Sequence, residues 1–148
     1  MFDYFKKMRG GAALPPAPAP NHVLWSWVGG AVAIGLIAFL TTMIGRPILM
    51  APLGASAVLA FGVTDSPLAQ PRNIVGGHVL TAFIGLVFLE AFGADWWSMG
   101  GAVATAIAAM QVTRTVHPPA GANPLLIMVL GASWDFLFIP VLAGSMIL

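Results

Sequence analysis

Uncharged apolar runs alternate with short polar breaks along this chain, and the run lengths set the elements. Residues 23–44, VLWSWVGGAVAIGLIAFLTTMI, are 22 residues without a charge. That is long enough to span the hydrocarbon core of a bilayer as one helix. Trp25 and Trp27 suit the interface belt, and Ala31 and Gly35 make a small-xxx-small pair for close helix packing. Residues 48–62, ILMAPLGASAVLAFG, are apolar but short, and Pro52 and Gly54 interrupt them. As a helix, Leu53 to Gly62 would rise only about 15 Å, half a membrane. A polar, proline-containing loop at 63–73 leads to a second full span at 74–92, where Gly77, Thr81 and Gly85 lie four apart on one face. Residues 93–99 read as a loop with interfacial tryptophans, and 99–113 as a third helix with Gly101, Thr105 and Ala109 on a small-residue face. RTVHPPAGANPLL (114–126) then breaks the apolar pattern, which resumes at 125–131. The last run, 136–148, contains Pro140 and is short for a complete span.

Composition makes the membrane reading firm. The chain is 59% hydrophobic and only 7% charged, against about 25% charged in soluble domains, and its mean hydropathy is +0.92. A soluble fold would have to expose Ala, Leu, Val and Phe over its surface and would aggregate. The expectation is an all-α integral membrane protein: a basic, then proline-rich segment at 1–22, followed by one transmembrane domain at 23–148. The net charge of +1 gives no nucleic-acid footprint. The absence of cysteine excludes disulfides and thiolate chemistry. Glu90, Asp95, Asp135 and three scattered histidines form no H-E-x-x-H or paired-carboxylate motif, so neither an enzyme nor a cofactor is expected. His22 reads as an exposed interface residue and His78 as a packing or capping residue.

Two matches in the same order argue for internal duplication. GGAVA occurs at 29–33 and 100–104. PLGAS at 52–56 resembles PAGAN at 119–123, and an arginine, Arg46 or Arg114, precedes each. The units are about 23–92 and 93–148. Each holds three segments, the second short and broken, so about six apolar segments form a three-plus-three inverted repeat. With Lys6, Lys7 and Arg9 in the cytoplasm, six crossings put Arg72 and Arg114 inside and Arg46 outside, the last against the trend, and the count changes if the segments at 48–62 and 117–131 re-enter without crossing. The expected setting is a bacterial inner membrane with a cytoplasmic N-terminus. Gly/Ala faces on so small a chain point to a homo-oligomer in the bilayer.

The interrupted segments carry the candidate chemistry. Proline removes an N–H and suits a first helical turn, so Pro52 and Pro119 should each begin a short helix within the membrane. Its first amides are unpaired and carry the positive end of the dipole. Gly54, Ala55 and Ser56 from one half, and Gly121, Ala122 and Asn123 from the other, would then cage a small anion. Arg46 and Arg114 would supply charge in a planar, bidentate form, and His117 would donate a hydrogen bond or carry a proton. Blander readings stay open: the Pro-Pro pair as a loop, Arg114 as a topology signal, His117 as a cap.

His117-Pro118-Pro119, together with PLGASAVLAFG (52–62) and SPLAQPRNIVGGH (66–78), resembles the HPP family of integral membrane proteins, named for that tripeptide. The resemblance covers roughly 46–131. It implies a small multispanning protein, and members from cyanobacteria and plant chloroplasts are associated with nitrite transport. Some relatives carry a C-terminal CBS pair, a nucleotide-sensing module, and this sequence shows none. The expectation is transport of a small monovalent anion, nitrite first. The alternatives are another small anion, such as nitrate or formate, or a non-transporting scaffold subunit.

Overall fold

The computed structural model describes residues 16–148, and among these every regular element is helical. Lys6, Lys7 and Arg9 lie outside the described residues. The first helix, α1 (Pro20–Ile44), begins before the charge-free run because Pro20 takes the first helical position, where a missing N–H costs nothing. Gly45 ends it in the left-handed conformation, φ 67°, with its N–H bonded to Thr41 O at 3.2 Å. Helix α2 (Ala51–Ala57), with Pro52 in its first turn, passes into a π-helical turn at Val58–Gly62. Helix α3 (Pro71–Phe92) also opens on a proline.

Helix α4 (Trp96–Thr113) starts earlier than the loop predicted at 93–99. Trp96 and Trp97 fall in its first turn, both exposed, and Trp97 packs on Phe92 at 5.7 Å between ring centroids. The second short segment differs from expectation too. Pro119 lies within a 3₁₀ turn, Pro118–Ala122, and the α-helix proper, α5 (Asn123–Leu130), starts only at Asn123 with Pro124 behind it. The last segment is broken at Ile139, whose extended backbone precedes Pro140 within Leu137–Leu142. It finishes as α6 (Ala143–Ile147).

Hydrogen bonds at the two ends of the molecule give each segment its direction. Arg46, just past α1, pairs with Asp135 ahead of the last segment at 3.3 Å, and Trp134 Nε1 donates to Glu90 near the end of α3 at 3.1 Å. At the opposite end, Ser26 Oγ near the start of α1 donates to Phe61 O at 2.6 Å, and Arg72 at the start of α3 donates to Arg114 O at 3.1 Å. The chain therefore runs out along α1, back through 46–62, out along α3, back along α4, out through 115–131 and back through the last segment. Neither short segment turns back on itself. Arg72 and Arg114 share the end where α1 begins, and Arg46, Glu90 and Asp135 share the other.

Helix α3 is the central element. Gly77 and Gly85 let the second broken segment lie against its backbone. A Cβ at Gly77 would stand 2.9 Å from Thr115 O and from His117 Cβ, and one at Gly85 2.7 Å from Pro124 Cα. The apolar core gathers Ile37, Ile48, Met50, Leu53, Leu86, Ile127 and Val141. Of two predicted packing faces, the one on α1 points elsewhere and the one on α4 packs only in part. Ala33 and Ile37 are the buried positions of α1, while Ala31 and Gly35 are exposed. On α4 the most buried stripe is Ala102, Ala106 and Met110, while of the predicted face Thr105 is exposed, Ala109 is half-buried and Gly101 packs closely, a Cβ there standing 3.1 Å from the Phe88 ring. Glycine and alanine recur on more than one stripe of both helices, so small size alone does not select one.

Candidate functional site

Where α2, α3 and the second broken segment meet, a set of polar side chains is closed off from solvent. Ser56, His78, Thr81, His117 and Asn123 are each 0% exposed. Ser56 Oγ lies 2.8 Å from both His78 Nε2 and His117 Nε2, and 3.0 Å from Pro52 O. His117 Nδ1 lies 2.8 Å from Leu68 O in the short turn Pro67–Ala69. Asn123 Nδ2 lies 3.0 Å from His78 Nδ1, 3.0 Å from His78 O and 3.1 Å from Thr81 Oγ1. Asn73 Nδ2 donates to Val116 O at 2.8 Å and pins the chain just before His117.

These partners assign the tautomers by donor–acceptor logic. A backbone carbonyl only accepts, so His117 Nδ1 carries the proton and Nε2 of the neutral ring accepts. The Asn123 amide nitrogen faces the His78 carbonyl and must donate. It therefore also donates to His78 Nδ1, leaving the His78 proton on Nε2. The chain of bonds then runs one way: Asn123 N–H to His78, His78 N–H to Ser56, Ser56 O–H to His117, His117 N–H to Leu68 O. Turning the Asn123 amide over would set its oxygen 3.0 Å from the His78 carbonyl, which is repulsive. In the orientation present, Asn123 Oδ1 is buried with no hydrogen-bond partner.

The set forms a polar column. It starts beside the Arg72–Arg114 end, where Leu68 and Asn73 sit. It passes His117, Ser56 and His78, two turns into α3, and stops at Thr81 and Asn123 near the midpoint of that helix. Beyond it, toward Arg46, the interior is mainly apolar, filled by Ile37, Leu53, Leu86, Ile127 and Val141, with the buried Ser98 and Ser145 hydroxyls bonded to nearby backbone carbonyls. Among the described residues no group of three His, Cys, Asp or Glu side chains stands close enough to share a metal ion.

Of the residues singled out in the sequence, Ser56, His117 and Asn123 come together here. Gly54, Ala55 and Ala122 are exposed and Gly121 is half-buried. Arg46 is exposed and paired with Asp135 at one end. Arg114 is exposed at the other, holding the αL cap of α4 at φ 57°. Few backbone donors remain at the proline-led turns: Pro118 and Pro119 have no N–H, Ala120 N donates to His117 O, and Leu53 N to Met50 O. His78, Thr81 and Asn73 were not among the candidate site residues. The signal for His78 was its depth. Once α3 begins at Pro71 and not at 74, His78 lies about 10 Å inside, where an ionisable residue is a functional hypothesis by default.

Among the described residues, six helical segments alternate in direction and two helices are long and apolar enough to cross a membrane, an arrangement that fits a membrane protein. The family model for the HPP transmembrane region matches residues 15–148, and the chain belongs to the HPP family of membrane proteins. Two proteins described as transmembrane proteins from Dictyostelium discoideum are each 35% identical to it. The matches cover 97% and 100% of this chain but 50% and 57% of theirs. This chain thus spans little more than half the length of these relatives. No solved structure matches.

Proposed function

We propose that this chain carries a small monovalent anion across the bilayer, nitrite first, with nitrate and formate as the nearest rivals. The carrying observation is the closed polar column, which leads inward from an end bearing two exposed arginines and stops against an apolar half. A network serving only to hold the fold has an inexpensive substitute, since replacing both partners of a buried hydrogen bond by apolar groups is often neutral. Keeping two imidazoles, a hydroxyl and an amide in a membrane interior fits a transport path better. The association of HPP relatives with nitrite supports the choice of ion.

The same proposal takes the two halves as an inverted duplication. In its support, each half has a proline-led broken segment in second place, and the two halves start in opposite directions. It sets the Arg72–Arg114 end in the cytoplasm of a bacterium, following the positive-inside tendency. It also makes α1, which buries only 11% of its most apolar window, the contact face of a homo-oligomer.

The test is nitrite uptake into proteoliposomes holding the purified full chain, beside Asn123→Leu. Saturable uptake above empty liposomes, reduced at least tenfold in the variant, is the expected result. No uptake of nitrite, nitrate or formate by folded protein overturns transport and leaves a scaffold role.

A further inference from the structure

An anion drawn to this site needs a positive charge, and the groups on hand narrow its source to one. Arg46, Arg72 and Arg114 are exposed, and free backbone amides are scarce. His78 is held neutral, because the Asn123 amide occupies its Nδ1 with a donor and leaves no place for a second ring proton. His117 is not so held. Its Nδ1 proton stays on Leu68 O in either charge state, and its Nε2 faces a hydroxyl that can change roles.

The Ser56 hydroxyl has one hydrogen and two acceptors, His117 Nε2 at 2.8 Å and Pro52 O at 3.0 Å. With His117 neutral, the hydrogen points to Nε2. With His117 protonated, Nε2–H donates to Ser56 Oγ and the hydroxyl hydrogen turns to Pro52 O. Oγ then accepts from both imidazoles with its two lone pairs. Every donor keeps an acceptor in both states, and no heavy atom has to move. The nearest acidic residue along the turn that holds His117 Nδ1 is Asp65, three residues before Leu68, and it is exposed. Helix α2 brings Ser56, and α3 brings His78, 5.2 Å away between ring centroids, and Asn73, with Arg72 exposed at its start. The 67–69 turn brings a carbonyl, and α4 brings only Arg114 at its end. Among the described residues no carboxylate bonds to either ring.

We propose that His117 is the proton-loading site of an electroneutral anion–proton symport. A proton from water at the Arg72–Arg114 end binds His117 Nε2. The imidazolium draws one monovalent anion in beside it, and both leave together on the far side. The proposal rests on the anion-transport reading of the same site.

The experiment is nitrite uptake by the full chain in proteoliposomes, with both compartments above neutral pH, where nitrous acid leaking through bare lipid is scarce. One arm imposes a pH gradient, inside alkaline, at zero potential. The other imposes a potassium-valinomycin potential of either sign without a pH gradient. At least tenfold faster uptake in the first arm, one proton per nitrite on an internal pH dye, and no response in the second are expected. Uptake driven by an inside-positive potential without proton movement overturns the symport and leaves anion transport standing. No uptake of nitrite, nitrate or formate overturns both. Ser56→Ala, which removes the rotating hydroxyl, should lose the pH-gradient response, and Ser56→Thr should keep it. A Ser56→Ala protein coupled as tightly as wild type also overturns the proposal. The wild-type arms decide the question even where a variant does not fold.

Discussion

Arg114 occupies a backbone conformation that arginine adopts at a cost. At φ 57° it holds the left-handed position after α4, where glycine is the usual occupant, and an L-residue there loses about 1–2 kcal/mol. Fold stability therefore argues for glycine, and a positive charge at the mouth of the column argues for arginine. Arg114→Gly should raise stability in detergent by about 1 kcal/mol while slowing nitrite uptake. A thermal melt and a flux assay on one preparation check both, and a variant that is less stable, or transports equally well, removes Arg114 from the entrance. The residue scale is also where sequence reading reached least far. Ser56, His117 and Asn123 stood out because polar groups beside prolines break an apolar pattern. His78 did not, because its role depends on Asn123, 45 positions away, and no local pattern carries that pairing. The exposure of both arginines was equally unreadable, since the fold and not the spacing decides which side of a segment faces inward.

At the scale of the element, close approach between α3 and the second broken segment is what brings His78 and Asn123 together. Gly85 meets the backbone of Pro124, which has nowhere to retreat. Gly85→Val should cost about 1–3 kcal/mol by overpacking and abolish transport through displaced Asn123. Gly100 on α4 has nothing within 4 Å of where a Cβ would sit, so Gly100→Ala should be neutral or stabilise by about 0.5–1 kcal/mol, as for any mid-helix glycine. Chemical unfolding of the two variants side by side separates a packing role from helix propensity. Equal stabilities would mean that the segments do not touch as described. The Gly77–Thr81–Gly85 stripe was readable in the sequence because its small residues recur at helical spacing in an otherwise bulky helix. The stripes on α1 and α4 were not, because alanine and glycine occupy adjacent stripes and several faces satisfy the same rule. The 3₁₀ start of the second broken segment was hidden as well: two successive prolines remove the donors that would tell one helical form from another.

For the whole molecule, the number of apolar segments was legible from run lengths, but whether the two short ones cross or re-enter was not, and Arg46 opposite Arg72 and Arg114 follows the crossing count against the charge trend. The sequence has no cysteine, so single cysteines can be introduced without a background. Arg46→Cys and Arg114→Cys should react with a membrane-impermeant maleimide from opposite sides of sealed right-side-out vesicles. Labelling of both from one side would refute the path of the chain through 46–62 and 115–131.

The division of the interior into a polar half and an apolar half has an electrical consequence. A potential across two layers in series falls mainly over the one that polarises less. On the transport reading, the layer around Ile37, Leu53, Leu86, Ile127 and Val141 would act as the dielectric of a thin capacitor and carry most of the field. On the same reading His117, on the other plate, would sit near the potential of the Arg72–Arg114 side. Its occupancy by protons should follow the pH of that compartment and barely respond to voltage.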